Sequence, residues 1–356
     1  MKNEEIVCAR RDANQFQINE ELIMSTHKLS GPAAGAVKAA AIIAAVIIVY
    51  LLICSSTGIV YRRFMKDSEK IARIPGLGDG FIPQGVCYSE AIGAWLCCGY
   101  TTDGSPSRLY VIGEDGKMIK MLFLYRENGD VYTGHAGGVS SSGEHIWISN
   151  AKKAFHITAS AVEAAGDGDS LAFDGYFGVG VNASFTFADD NYFWIGEYHS
   201  GDKYQTADSN HMTTPDGSEH GAIIYGYKLD DSARFGVDPD SPVIALSVRD
   251  IVQGFCVTDS GKYVLSTSAG AASSHLYIYD CTGKPSTGSI SYGGKDVPLY
   301  CLDSEVLVDT VKMPHMSEDL DYHDGKVCIA FEAGAHKYGG GLIPFSLKHI
   351  MGFELD

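Results

Sequence analysis

The sequence predicts an all-β fold, a single five-bladed β-propeller preceded by one N-terminal transmembrane helix, on three observations. A two-strand plan first met in PQGVCYSEAIGAWLCCGY, beginning at Pro83, recurs four times downstream. The copies open at Gln84, His135, Asn182, Gln253 and Glu318 and close at Gly99, Asn150, Glu197, Ser268 and Glu332, fourteen or fifteen residues later each time. Self-similarity at a fixed period with room for four strands per unit is the signature of a propeller. The third observation is an apolar run ahead of all the repeats.

Residues 1–32 mix charges with Asn, Gln, Ser and Thr without a sustained period and are expected to be a flexible polar tail. Residues 33–54, AAGAVKAAAIIAAVIIVYLLIC, carry one charge, Lys38, near the start. At about 1.5 Å per residue such a run spans a hydrocarbon layer of ~30 Å, and a lysine near one end can snorkel to the interface. The run is too long and starts too late for a cleaved leader, so the lipid bilayer is an expected partner through residues 33–54. Basic residues flank it evenly, with Lys2, Arg10, Arg11, Lys28 and Lys38 before and Arg62, Arg63, Lys66, Lys70 and Arg73 after, so charge does not set the orientation. A single early span before a large domain favours a signal anchor, placing the propeller outside the cytoplasm. Residues 55–70 are expected as a stalk and residues 71–356 as the propeller.

Apolar residues make up 45% of the chain and aromatics 11%, enough for a large core. The net charge of −17 excludes a nucleic-acid partner, because that affinity comes from Lys and Arg neutralising phosphates. Of nine cysteines, Cys87, Cys97, Cys98, Cys256 and Cys328 fall within expected core strands, where cysteine acts as a small hydrophobe. No Cys-x-x-Cys pattern for zinc occurs.

The first blade takes residues 84–100 as its inner pair, SRLYVIG as its third strand and MIKMLFLY as its outer one, with Asp115-Gly116 as the turn between them. HIWISN and AFHITAS serve the second blade, AIIYGYKLD and PVIALSVRD the third, SSHLYIYD and VLVDTVKMP the fourth. The stretch from Glu318 onward is short for a whole blade, so the ring is expected to borrow Lys70–Pro75 as a closing strand.

PGLGDGFIPQGVCY at Pro75, GHAGG at Gly134, QGF at Gln253 and FEAGAHKYGG at Phe331 resemble a group of bacterial secreted or membrane-anchored β-propeller proteins, distantly like YVTN or lactonase-type propellers. The resemblance covers nearly everything after the apolar run. It implies a fold and no chemistry.

Hairpin spacing is expected to bring Gln84, His135, Asn182, Glu197, Gln253, Glu318 and Glu332 to one mouth of the central channel as a ligand-binding set. Glu197, His199, His220, Glu318, Glu332 and His336 are candidate ligands for a divalent cation. Carboxylates with amides suit calcium, and carboxylates with imidazoles suit a transition metal. Gly134, Gly137 and Gly138 around His135 would let backbone approach a ligand. Tyr100, Tyr198, Tyr204 and Tyr338 fall near the same funnel, where they could stack on a sugar or peptide. Alternation along the strand would turn Asp319 and Asp321 away from Glu318. Ser140–Ser142 and Ser266–Ser274 lack nucleophile-elbow spacing, and GVGVNAS at Gly178 has no helix after it for a phosphate loop.

The leading expectation is a membrane-anchored, exported propeller that binds a small polar or glycan-like ligand at the channel mouth. A metal-dependent hydrolase using the same funnel and a protein-interaction scaffold are the alternatives, because propellers host all three.

Overall fold

The computed structural model describes the backbone of residues 32–201, 203–339 and 345–355. It divides into two units, residues 1–56 and 57–356. The expected polar tail, all but Pro32, lies outside the described residues. Helix α1 (Pro32–Val60) is six residues longer at its C-terminal end than the apolar run alone. Its window Gly35–Leu52 has a mean hydropathy of 2.4, long and apolar enough to cross a membrane. Ile42, Val46 and Leu52 are among its exposed side chains, so no polar face separates it into two sides.

The stretch expected as a stalk is ordered. Helix α2 (Arg62–Lys66) follows α1 at once, and strand β1 (Ser68–Arg73) begins two residues later. Phe64 explains why, since it is buried against Phe353, stacked at 5.8 Å, and meets Phe331 edge-on at 6.0 Å. Lone aromatics among Arg, Lys, Asp and Glu gave no sequence period to reveal this.

Strands β2 (Phe81–Ser89), β3 (Ala94–Thr101), β4 (Arg108–Gly113) and β5 (Met118–Tyr125) form an antiparallel meander. Strand β6 (Gly138–Ser142) pairs with the start of β7 (His145–Thr158). A straight strand of 14 residues would hold its ends about 45 Å apart, yet Ala159 N donates to Glu144 O at 2.9 Å. Strand β7 therefore doubles back at Ala151, whose φ of 54° makes the turn. Helix α3 (Ala159–Ala164) and strand β8 (Ser170–Ala172) follow, and β8 adds to β5 in parallel. Strand β9 (Gly175–Ala188) pairs first with the returning half of β7 and then with β10 (Tyr192–Glu197), serving as the last strand of one unit and the first of the next.

A long loop holding β11 (Met212–Thr213) and β12 (Glu219–His220) leads to β13 (Ala222–Leu229) and β14 (Val237–Val248), which continue that meander. Strands β15 (Val252–Val257), β16 (Tyr263–Thr267), β17 (Ser274–Tyr279) and β20 (Leu307–Met313) make the next sheet. Between its last two strands the hairpin β18 (Gly288–Tyr292) and β19 (Lys295–Cys301) leaves to join β14 in parallel. Strands β21 (Ser317–His323), β22 (Lys326–Phe331) and β23 (His349–Glu354) end the chain, with β1 pairing to β23 as the outermost strand. The first and last strands of this unit thus share one sheet, as the Lys70–Pro75 reading expected, shifted by two residues.

The arrangement is that of a β-propeller: meanders whose first strands pack β2 on β6, β6 on β9, β9 on β15, β15 on β21 and β21 on β2. No sheet closes on itself. Glycines permit the close approach at the centre. A Cβ on Gly85 would lie 2.5 Å from Val139 N, on Gly138 2.6 Å from Thr186 N, and on Gly254 2.7 Å from Glu318 O. The glycines after Gln84, His135 and Gln253 serve strand-to-strand packing, which corrects the reading of Gly137 and Gly138 as room for a ligand.

Candidate functional site

Irregular pairing recurs where the inner hairpins begin. Along β2 the register passes from Pro83↔Gly99 to Gly85↔Cys98, leaving Gln84 as the extra residue. It passes from Val252↔Thr267 to Gly254↔Ser266 around Gln253, and from Ser317↔Phe331 to Leu320↔Ile329 around Glu318 and Asp319. A bulge leaves its extra residue outside the ladder and re-aims its side chain. Here that side chain reaches toward residues of a neighbouring sheet.

Four of the expected residues meet there. Gln84 Nε2 donates to Glu332 Oε2 at 3.3 Å, and Gln253 Nε2 reaches Glu318 Oε1 at 3.5 Å, the outer limit of a hydrogen bond. The Glu318 and Glu332 carboxyl groups are neighbours, close enough for the charge of one to act on the other. Burial, then the Glu332 charge, pushes the Glu318 carboxyl well above its ordinary range. Burial raises Glu332 too, and Tyr338, whose hydroxyl donates to Oε2 at 3.0 Å, counters that.

His135 stands at the edge of this group. Its ring stacks on Tyr100 with centroids 4.7 Å apart, and its backbone N–H donates to Asn150 Oδ1 at 3.1 Å. Lys337 Nζ donates to the Tyr100 hydroxyl at 2.7 Å. Desolvation under the stacked ring and the Lys337 charge hold the imidazole below its ordinary pKa. A polar floor of two glutamines and a carboxyl pair thus lies beside an aromatic step topped by an ammonium group. Such a surface can hydrogen-bond hydroxyl or amide groups while stacking a flat apolar face.

Glu197 does not join the group. Pairing slips between Gly196↔Phe185 and Glu197↔Ala183, and the buried carboxylate accepts Asn210 Nδ2 at 2.6 Å, Asn182 N at 3.2 Å and Ile223 N at 3.3 Å. It fastens the loop between β10 and β13. Asn182 is exposed and enters only through its backbone. His199 Nδ1 lies 3.0 Å from Thr206 Oγ1, His220 Nδ1 lies 3.0 Å from Ser247 Oγ, and His336 is exposed on a short helical turn. The six candidate metal ligands are therefore spread over several separate environments. Among the described residues no three His, Cys, Asp or Glu side chains converge as a cation set, so the donors do not fit a bound metal.

Asp319 and Asp321, expected to point away from Glu318, are buried and hold other strands: Asp319 Oδ2 accepts Val139 N at 3.1 Å and Asp321 Oδ2 accepts Tyr88 N at 2.7 Å. Both N–H groups belong to the inner strands of other sheets, whose facing edges have no ladder partner. Burial pushes Asp319 well above the usual carboxylate range and Asp321 up to about 7. The sequence signal was three carboxylates in four core positions, too many for a dry strand without outside donors.

No family model matches the chain, and no curated protein matches it. Among solved structures, propeller-like proteins show partial likeness. Glutaminyl cyclase of Myxococcus xanthus is 11% identical with a TM-score of 0.41, covering 81% of this chain and 95% of that one. The PQQ-bound aldose sugar dehydrogenase of Streptomyces coelicolor is 16% identical with a TM-score of 0.38, covering 74% and 76%. BamB of Moraxella catarrhalis is 11% identical with a TM-score of 0.33, covering 77% and 83%.

Proposed function

We propose that the chain is a membrane-anchored, exported five-bladed β-propeller that binds a small polar or glycan-like ligand at the mouth where Gln84, Gln253, Glu318 and Glu332 meet. Residues 33–54 hold it in the bilayer as a single span and residues 71–356 carry the ring, which β1 completes. The observation that carries the reading is the meeting of two hydrogen-bonded pairs, Gln84 with Glu332 and Gln253 with Glu318, set beside the Tyr100–His135 stack. Its donors and acceptors alternate over a short distance, as recognition of a polyhydroxylated molecule requires.

Full-length protein in detergent, titrated calorimetrically with a panel of mono- and oligosaccharides, tests this. A saturable heat that Tyr100→Ala and Glu332→Gln each weaken by roughly tenfold supports it, since one charge-assisted hydrogen bond is worth about that much. No saturable heat with any sugar, or heat that neither substitution changes, overturns it.

A further inference from the structure

The other ends of the inner strands enclose a cavity of about 730 Å³. Turns from all five inner hairpins line it, at Glu90, Gly143, Asp190, Asp259 and Asp324. Strand β21 runs from Glu318 at the mouth already described to His323 at this cavity, so the two places lie at opposite ends of one strand.

The chemistry of the lining is one-sided. Glu90, Asp189, Asp190, Asp259, Asp321 and Asp324 contribute six carboxyl groups, and the lining contains no lysine or arginine. Asp189 is committed to its own turn, where it accepts Asn191 N at 2.7 Å and Tyr192 N at 2.8 Å. Glu90 and Asp324 flank His323 at 3.4 and 3.7 Å. Asp321 is different. It is only 6% exposed, lines the cavity, accepts the Tyr88 N–H at 2.7 Å and has no cationic partner among the described residues. Aromatic rings supply the walls between the acids: Tyr88, stacked on His323 at 3.8 Å, with Tyr192, Trp194, Tyr263 and Tyr322.

We propose that this cavity is a second binding site, and that it takes a small organic cation bearing ammonium or guanidinium groups. A bare metal ion does not suit it, because among the described residues no three ligating side chains converge there and the volume far exceeds one ion. A flexible cation does: its charges reach carboxylates on separate turns, its methylenes lie against rings, and the ring faces attract the charge itself. The site goes beyond the polar-ligand reading and is independent of it.

The test is calorimetric titration of the full chain in detergent at about 0.15 M salt, where weak surface attraction is screened. The probes are spermidine, arginine amide and, as the inorganic control, calcium chloride. Saturable binding of spermidine or arginine amide is expected, the tighter of the two telling a free polyamine from a basic side chain. Asp190→Asn with Asp259→Asn, both at the turns, should weaken it roughly tenfold or more, as loss of charge-assisted contacts implies. Asp321→Asn should do the same, while Glu332→Gln at the opposite mouth leaves it unchanged and so separates this site from the first. Binding of calcium alone, no saturable binding of either amine, or equal affinity in the turn variant would overturn the proposal.

Discussion

The buried carboxyl group of Glu318 lies beside that of Glu332, with a glutamine amide from a different sheet approaching each of them. Two carboxylates this close cannot both ionise cheaply, so the pair records pH in the stability of the fold.

Stability should therefore fall as pH rises. Glu318 and Asp319 titrate well above the usual carboxylate range when folded, and Asp321 at about 7. A folded pKa above the unfolded value of about 4 means the folded state binds more protons between the two. The stabilisation is full below the unfolded pKa and is lost as pH climbs through the folded ones. Calorimetric Tm should drop from pH 5 to pH 8, and Glu318→Gln should flatten the slope while leaving the fold intact.

Asp319 should be worth more as an acceptor than as a charge. Asp319→Ala strands the buried Val139 N–H and should cost about 1–3 kcal/mol, whereas Asp319→Asn keeps an acceptor and should cost less. Urea unfolding of the two variants at pH 5 checks the order.

Gly254→Ala should fail to fold or lose several kcal/mol, because its Cβ would come within 2.7 Å of Glu318 O and Leu320 N. Gly178→Ala meets nothing within 4 Å and is the matched control, expected to be close to neutral. Far-ultraviolet dichroism during heating separates them.

Removing residues 1–60 should give a folded, soluble protein, since the second unit begins near residue 57. Removing residues 1–66 takes Phe64 from between Phe331 and Phe353 and should cost about 3–5 kcal/mol. Size exclusion without detergent and thermal melts decide. If the first truncation aggregates, the helix is needed by the domain.

The inner hairpins were legible in the sequence because strand, tight turn and strand are local, and their spacing survives whatever surrounds them. The closing strand was legible for the same reason, as a leftover segment of β type beside an incomplete sheet. Glu197 was misplaced because the slip after Gly196 depends on how β9 crosses from one sheet to the next, which no local pattern records. Asp319 and Asp321 were expected to point away from Glu318, but what they bind was not legible, because their partners, Val139 and Tyr88, are long-range edge donors. The acidic cavity escaped notice because Asp190, Asp259 and Asp324 sit in turns, where aspartate needs no further reason.

Strand β1 leaves the ribosome first among the strands and β23 last, yet each is the other's ladder partner. At about 5–20 residues per second, tens of seconds separate the two events. Throughout that interval β1 is an unpaired ribbon a few residues from an apolar helix, next to whatever surface the helix has entered. Ring completion therefore waits for the last of these strands to emerge, and a chain stalled before His349 would present an open sheet edge to its neighbours.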